Sequence, residues 1–474
     1  MSLVFYDTET TGVEPFFDQI LQFAAIRTDQ NFKETDQFTI RCRLLPYVVP
    51  SPEAMNITGV KVSQLIDPSA LSHYQMVRTI RSKLLSWSPA LFIGWNSLDF
   101  DEDLLRQALY KTLHNPYLTN TQGNCRSDAM RIVQAASLFA PDALVFPDRE
   151  DGQKTFKLDR VAPANGFQHA DAHDALGDVR ATIFLCRLLQ EKAPELWSSF
   201  MRFSKKSGVV EYISDERVFC LCDFFYGKAY LHLVTTIGQN KEMKTGWYVY
   251  DLSVSPESLM TLSVLELEAR LSQTPKPVRV LRANAAPMLF PAEDAPNICP
   301  GQELGLEELE RRAMALQNDA ALRERLVSSF EAAKIEHPQS LHVEKQLYDG
   351  FFTPADERLM ETFHSAQWAE RSAIVDRFED QRLRTLGRRL IYSERPDLLD
   401  KTVCREYDLA VARRVLGQGD DIRWLTIPQA LEQLGRMLEN TPEVELTLLR
   451  EHKQYLHNRN DQALAHLTAA PAIT

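Results

Sequence analysis

The chain has 474 residues, of which 44% are hydrophobic and 25% are charged, so its composition is that of an ordinary globular protein. Its net charge of −12 excludes a protein that holds nucleic acid through an overall positive field. No apolar run approaches the roughly 20 residues of a membrane helix, so we expect no membrane association. The seven cysteines form no Cys-x-x-Cys pair, and no secretory leader precedes the first strand, which together predict a cytoplasmic protein.

A short apolar run at the start of the chain, Leu3–Tyr6, predicts a buried strand that leads into two acids. Asp7 and Glu9 are two positions apart, so their side chains leave the same face of that strand. Two carboxylates at the edge of a core are the oxygen ligands that a divalent cation such as magnesium takes. The alternative is a surface turn that carries two solvated acids.

Residues 91–95 form a second apolar run, which is followed by an acid-rich helix start. Acids in a first helical turn are often caps or partners of the helix dipole, and we expect this of Asp99 and Asp103. Asp101, which directly follows Phe100, is kept as a candidate for the same site as the first two acids.

A helical pattern runs from His173 to about residue 191, with Asp178 a little over one turn inside it. A lone histidine at this place is typical of a cap. Because three other acids are already assigned to one site, we expect His173 and Asp178 to face that site from the helix start.

The remaining patterns divide the chain into regions. Residues 1–190 alternate strands and helices, with strands expected at 2–7, 20–28 and 36–45 and a helix at 127–138, which predicts a mixed sheet flanked by helices. Short strands separated by turns over residues 208–290 predict a small antiparallel barrel or sheet. Helices are expected at 305–315 and 319–334, and beyond Thr353 a helical bundle is expected with helices at 354–366, 367–391, 402–416, 427–439 and 442–468.

The combined pattern resembles a known family. Asp7-x-Glu9, then Asn96 with Phe100-Asp101, then His173 with Asp178, is similar to the three motifs of the DEDDh 3′→5′ exonucleases. The pattern selects Asp101 over Asp99, because Asp101 follows the aromatic, and His173 over His169. A closer resemblance is to the bacterial exonuclease I family, on the segments Phe156–Leu158, Ala164–Gly166, Ala172–Ala175 and Gln346–Phe352.

The resemblance implies a multidomain α/β fold. It predicts an RNase H-like exonuclease domain over 1–192, an SH3-like middle domain with following helices over 200–345, and a C-terminal helical domain over 350–474.

The resemblance also implies an activity, namely hydrolysis of single-stranded DNA from its 3′ end to 5′-mononucleotides, in DNA repair and recombination. Two Mg²⁺ ions, which Mn²⁺ can replace, would be bound by Asp7, Glu9 and Asp178, with Asp101 acting through water. His173 would be the general base, since an imidazole titrates near neutral pH.

Several further residues are predicted to contact the strand. Glu9 and the neighbouring Thr8 and Thr10 would touch the terminal nucleotide. Lys157 stands where exonuclease I carries an arginine, so the charge is kept but a bidentate phosphate contact is lost; the alternative is a solvated surface lysine.

Arg106 and Tyr117 match positions along the single-strand groove of exonuclease I, where a tyrosine ring can stack on a base. Alternatively, Arg106 pairs with Glu102 one turn earlier in its helix, and Tyr117 folds back on the core.

The expected partners are single-stranded DNA and the acidic, hydrophobic C-terminal tail of single-strand DNA-binding protein, and the chain is expected to be a monomer. The candidates for the tail pocket at the middle domain are Arg311, Arg312, Arg323 and Arg325. The densest basic run either lines the DNA path or forms a salt-bridged helix face, and comprises Arg382, Arg384, Arg388, Arg389 and Arg395.

Two alternatives to a DNA exonuclease stay open. The same chemistry could act on RNA, because the motifs do not decide how a 2′-hydroxyl is treated. A non-catalytic clamp that kept the fold is the other possibility, although the presence of all four acids and the histidine argues against it.

Overall fold

A computed structural model of the chain describes residues 1–168, 175–225, 227–333, 338–440 and 446–468. Within these ranges the strands form two separate five-stranded sheets, and the last third of the chain is helical. No helix in the described ranges is both long and apolar enough to cross a membrane.

The first sheet has the strand order β3-β2-β1-β4-β5 and is mixed, as predicted. β1 pairs antiparallel with β2 and parallel with β4, while β2–β3 is antiparallel and β4–β5 is parallel. The fifth strand was not predicted, because four residues carry too little periodicity. The strands are β1 (Ser2–Thr10), β2 (Ile20–Thr28), β3 (Glu34–Arg41), β4 (Ala90–Gly94) and β5 (Cys125–Asp128).

Helices cover both faces of this sheet, and the alternation of β1 explains which residues meet them. Leu3 and Phe5 pack with α5, α7 and α8, whereas Val4 and Tyr6 pack with α3 and α4. The helices of this region are α1 (Pro52–Thr58), α2 (Val62–Ile66), α3 (His73–Trp87), α4 (Asp101–Lys111), α5 (Ala129–Phe139), α6 (Leu158–Ala164), α7 (Ala175–Lys192), α8 (Pro194–Phe203) and α9 (Lys206–Asp215).

The second sheet is antiparallel throughout, in the order β10-β6-β7-β8-β9, which confirms the small antiparallel sheet expected for the middle of the chain. Its strands are β6 (Phe219–Phe225), β7 (Lys228–Gln239), β8 (Gly246–Asp251), β9 (Val278–Arg282) and β10 (Met288–Pro291). The helices that accompany it are α10 (Glu257–Met260), α11 (Val264–Ser272), α12 (Leu306–Asn318) and α13 (Ala320–Ala332).

The C-terminal region is helical, as predicted, but the single helix expected over 367–391 is wrong. The structure has two helices there, because Asp380 caps the second one by accepting a hydrogen bond from the backbone N–H of Arg382 at 2.8 Å. The helices are α14 (Pro354–Ser365), α15 (Trp368–Val375), α16 (Gln381–Glu394), α17 (Lys401–Leu416), α18 (Ile427–Asn440) and α19 (Leu446–Thr468).

One hydrophobic core extends from the first sheet into the second. It includes Phe5 in β1, Trp197 in α8 and Tyr250 in β8, and the rings of Phe139 and Phe290 stack with centroids 3.7 Å apart across the two regions. Because the core is continuous there, packing does not mark where one domain ends, and the limits 1–192, 200–345 and 350–474 stay predictions.

Candidate active site

Three carboxylates meet at the end of β1. Ligand oxygens of Asp7, Glu9 and Asp178 all lie within 4.8 Å of one another, and each residue is partly exposed. Asp7 and Glu9 follow Leu3 and Phe5 on the alternating face of β1, which is the face that α7 covers. Asp178 lies in the first turn of α7, so strand alternation and helix packing together bring residues about 170 positions apart into one site.

Asp101 lies in α4, which packs on the other face of the same strand. It is the first residue of α4 and is 4% exposed, and the hydroxyl of Thr8 donates to its Oδ1 at 2.5 Å. Burial raises the pKa of Asp101 to about 7, although hydrogen bonds from Thr8 act in the opposite direction. The group of three acids does not include Asp101, and its role in acting through water stays a prediction.

The loop that presents Asp101 is held by an acid that the sequence reasoning missed. Asp128, 1% exposed at the start of α5, accepts hydrogen bonds from the backbone N–H groups of Asn96 at 3.0 Å and Leu98 at 3.1 Å. It also caps α5 through the N–H of Met130 at 2.9 Å. An Asp directly before an apolar helical pattern is a typical N-cap, and this is the sequence signal that could have identified it.

Arg106 and Tyr117 form part of a buried support for α4. The Nε of Arg106 donates to Glu102 at 2.8 Å, and its guanidinium lies 5.4 Å from the centroid of the Tyr117 ring. The Tyr117 ring also lies 5.6 Å from the ring of Phe351, which is 85% exposed. The pairing of Arg106 within its helix is confirmed, and the contact of either residue with a strand stays a prediction.

The other predicted contacts are placed as follows. Lys157 is exposed at the start of α6, and the carbonyl of the preceding residue, Phe156, accepts a hydrogen bond from Trp95 at 3.1 Å, which ties this segment to the end of β4. The hydroxyl of Thr10 donates to the carbonyl of Gly12 at 2.8 Å, so its proton is used within the protein. His173 lies outside the described residues.

A groove of about 780 Å³ opens beside Glu9 and is lined by two distant regions of the chain, residues 8–58 and residues 414–436, together with Phe100. Glu9 and Thr10 lie on one wall, and Trp424, Gln429 and Arg436 lie on the other, in or near α18. The sequence reasoning did not assign this second wall, since a polar face of a bundle helix looks the same whether it meets solvent or a ligand.

The arginines of the basic run in and after α16 form ion pairs and hydrogen bonds within the protein. Arg382 pairs with Asp380 at 2.7 Å, Arg388 with Asp376 at 2.9 Å, and Arg389 with Glu344 at 2.7 Å. Arg395 pairs with Asp397 and Arg384 donates to a backbone carbonyl. These contacts favour the salt-bridged helix face over a lining of the DNA path.

The three gathered carboxylates fit magnesium. Their ligand atoms are all hard oxygens within reach of one another, and their partial exposure leaves room for water and for a substrate phosphate, both of which magnesium usually keeps. No nitrogen or sulfur ligand that would favour zinc belongs to this group among the described residues.

Comparison with known proteins adds to this geometry. Residues 4–185 match the family model described as Exonuclease, and residues 341–459 match the model described as Exonuclease I C-terminal domain. The exodeoxyribonuclease I of Escherichia coli K12 is 27% identical over 404 residues, which cover 81% of this chain and 84% of that protein.

Solved structures share the fold over nearly the whole chain. Escherichia coli exonuclease I in complex with a dA16 oligonucleotide has a TM-score of 0.82 at 23% identity, covering 97% of this chain and 99% of that one. A structure of SSB/exonuclease I with the inhibitor CFAM has a TM-score of 0.81 at 23% identity and the same coverage. With family models matching at both ends and one relative spanning most of its length, the chain belongs to the exonuclease I family.

Proposed function

We propose that this protein is a magnesium-dependent exonuclease that degrades single-stranded DNA from its 3′ end to 5′-mononucleotides, in DNA repair and recombination. The observation that carries the proposal is the meeting of Asp7, Glu9 and Asp178 beside a groove that two regions of the chain line together. The fold shared with exonuclease I in complex with an oligonucleotide supports DNA as the substrate.

Asp7, Glu9 and Asp178 would hold two magnesium ions, which Mn²⁺ can replace. When bound, the ions would supply positive charge to the scissile phosphate and lower the pKa of water. Asp101 would orient water from its buried position, where the hydroxyl of Thr8 fixes its carboxylate. We assign the general base to His173, and the support for this is its place two residues before α7, which carries Asp178.

The groove beside Glu9 would take the 3′-terminal nucleotides. Trp424 offers a ring on which a base can stack without sequence preference, and Arg436 offers positive charge for the backbone. Lys157 would add a monodentate phosphate contact, and Tyr117, braced by Arg106, a second ring further along the strand. Because phosphate contacts are made by local cations, we expect binding to weaken with salt.

The tail of single-strand DNA-binding protein is the proposed protein partner, supported by the SSB/exonuclease I structure that shares this fold. Three of the four candidate arginines donate hydrogen bonds to backbone carbonyls, namely Arg312, Arg323 and Arg325. Arg311 pairs with Glu308 and Glu257 but keeps a half-exposed side chain, so it is the first to substitute in a binding test. We also propose that the protein is cytoplasmic, since all seven cysteines are unpaired, and that it acts as a monomer.

The test is digestion of matched DNA and RNA oligonucleotides, single and double stranded, each labelled at the 5′ end and incubated with the full-length protein and Mg²⁺. We expect a ladder that shortens from the 3′ end on single-stranded DNA and no change without metal. Equal or better digestion of RNA would reassign the substrate, and no digestion of any strand would indicate a non-catalytic clamp.

A further inference from the structure

Phe17 connects the loop after β1 to the C-terminal region. It is 4% exposed, and its aromatic neighbours come from distant parts of the chain. The rings of His342 and Trp424 each lie 5.7 Å from its ring, His342 edge-on at 85°. The guanidinium of Arg414 lies 5.7 Å and the ammonium of Lys345 lies 5.9 Å from the same ring centroid. We call these four residues the Phe17 pocket.

The Phe17 pocket is itself held in place. The indole of Trp424 donates to the carbonyl of Arg414 at 2.8 Å, and the Arg414 guanidinium lies 4.3 Å from the Trp424 ring. Arg414 also donates to Glu344 at 3.0 Å, a carboxylate that is 2% exposed and accepts a second bond from Arg389 at 2.7 Å. The pocket is therefore a fixed surface of the C-terminal region, and a ring inserted into it has little freedom to move.

Asp18, the residue after Phe17, links the loop to the end of β1 and to α4 through hydrogen bonds. The carboxylate of Asp18 accepts hydrogen bonds from the hydroxyl of Thr11 at 2.7 Å and from the N–H of Glu14 at 2.8 Å. Its backbone carbonyl accepts from the Nζ of Lys111 in α4 at 3.3 Å. A Cβ added to Gly12 would lie 2.5 Å from Oδ2 of Asp18, so the loop closes tightly around this carboxylate.

The loop follows closely after Glu9. Glu9 pairs in register with Gln22 of β2, and the register shifts between Glu9 and Thr10, so Glu9 is the last regularly paired residue of β1. The loop that begins at Thr11 is therefore two residues from one of the three gathered carboxylates, and its position bears on the end of the strand that carries this carboxylate.

We propose that Phe17 is a positioning residue through which the C-terminal region holds the acidic end of β1 in its metal-binding geometry. The inference rests on the proposed function, because it concerns the same three carboxylates. Magnesium demands near-ideal octahedral geometry, so a small displacement of Glu9 lowers affinity for the ion. The C-terminal region then contributes to metal binding without providing a ligand to the group of three acids.

The experiment measures Mn²⁺ binding to the full-length protein, by the electron paramagnetic resonance signal of free Mn²⁺, for wild type, Phe17→Ala and Phe17→Leu. We expect Phe17→Ala to weaken Mn²⁺ binding by about tenfold, as for other residues that orient metal ligands. We expect Phe17→Leu to restore most of the affinity, since it refills the pocket. The Mg²⁺ concentration for half-maximal hydrolysis should rise in parallel, while the KM for the strand changes less than kcat.

Phe363→Ala is the matched control, because Phe363 is likewise a buried phenylalanine but lies in α14 and packs against Trp368 and Arg371. It should leave Mn²⁺ affinity unchanged. If Phe17→Ala proves unstable, His342→Ala removes part of the pocket from the other side and should weaken Mn²⁺ binding in the same direction.

Two outcomes would overturn the inference: wild-type Mn²⁺ affinity in folded Phe17→Ala, or the same loss in Phe363→Ala. These outcomes are distinct from failure of the proposed function. A wild-type protein that binds Mn²⁺ through Phe17-dependent geometry but digests no strand would retain the inference and reject the exonuclease.

Discussion

The neighbouring acids Asp101 and Glu102 at the start of α4 are both buried, yet their electrostatic surroundings are opposite. Burial raises the pKa of Asp101 to about 7, the nearby carboxylate of Asp128 acts in the same direction, and hydrogen bonds from Thr8 act against it. Burial alone would also raise the pKa of Glu102, but the guanidinium groups of Arg106 and Arg126 hold that pKa below its ordinary value. Glu102 is therefore a charged structural anchor, whereas Asp101 lacks such paired guanidinium groups.

Replacing Glu102 with Gln should lower the free energy of unfolding by about 3 kcal/mol, because the buried Arg106 and the partly buried Arg126 lose their buried counterion. Urea denaturation measures the effect. Glu211→Gln, which removes only an exposed pair with Arg202, should stay within about 0.5 kcal/mol of wild type. A loss in the first variant no larger than in the second would refute the anchoring role.

Replacing Asp7 or Asp178 with Asn should reduce hydrolysis of single-stranded DNA by at least a factor of about 100, since the change removes a proposed metal ligand directly. Strand binding, measured by fluorescence anisotropy, should be largely kept. Asp99→Asn is the control, because Asp99 pairs with Arg131 at the surface and lies outside the group of acids. Retained nuclease activity in either of the first two variants would reject the site.

Among the elements, the turn between α15 and α16 shows how a long helical pattern is interrupted. Asp356, fully buried in α14, accepts hydrogen bonds from the N–H groups of Glu379 at 2.9 Å and Asp380 at 3.1 Å. Phe378, also buried, fills the core at the same turn. The apolar periodicity over 367–391 is that of one helix, and the break depends on the Asp380 cap together with the Asp356 side chain of a different helix.

Replacing Asp356 with Ala should destabilise the protein by about 1–3 kcal/mol, because two backbone N–H groups lose their acceptor in a buried place. Hydrogen exchange followed by mass spectrometry should show faster exchange over 376–382. Asp376→Ala, which removes an exposed pair with Arg388, should leave exchange in that segment unchanged. Equal protection in both variants would show that the turn does not depend on Asp356.

At the scale of the whole molecule, the first and last regions meet at a cluster of buried rings. The rings of His114 and His364 stack with centroids 3.7 Å apart. The Nε2 of His364 donates to the carbonyl of Leu113 at 2.8 Å, so its Nδ1 accepts the hydroxyl of Tyr74 at 2.9 Å. Tyr74 in turn accepts from Arg371 at 3.0 Å. This pattern of one donated and one accepted hydrogen bond is that of a neutral His364.

This interface should make stability depend on pH. Burial lowers the pKa of His364 to about 4, with Arg371, Arg81 and Arg78 acting in the same direction, and burial lowers the pKa of His114 as well. A histidine in the unfolded chain titrates near pH 6.5, so the unfolded state binds the proton first as the pH falls. The stabilisation is complete above pH 6.5 and is lost towards pH 4, by roughly 2–3 kcal/mol for His364.

Urea unfolding of wild type and His364→Gln at several pH values between 7 and 4.5 measures this linkage. The variant should be less stable at pH 7, and its stability should fall less steeply below pH 6.5. Parallel curves for the two proteins would contradict the assignment of this linkage to His364.

Much of the exonuclease sheet and its acids was predictable from the sequence, for local reasons. The alternation of β1 places Asp7 and Glu9 on one face whatever the rest of the fold does, and the start of α7 places Asp178 one turn inside a helix. The family motifs then indicated that these residues belong together, and the structure confirmed that Asp7, Glu9 and Asp178 meet.

Other parts of the site could not be predicted, because they depend on contacts between distant segments. The hydrogen bond from the Asn96 N–H to Asp128 has no periodic signal in the sequence, and neither does the groove wall formed near α18. The same holds for the insertion of Phe17 into its pocket, since a buried phenylalanine in a loop fits many surroundings.

The sequence by itself determined the strand and helix patterns, the acidic motif and the family, because side-chain periodicity and residue chemistry are local properties. The tertiary structure decided which carboxylates share a site, where the long helix breaks and how the C-terminal region reaches the acidic strand. These features arise from packing and hydrogen bonding between residues as far apart as Phe17 and Trp424, and no local pattern encodes such contacts.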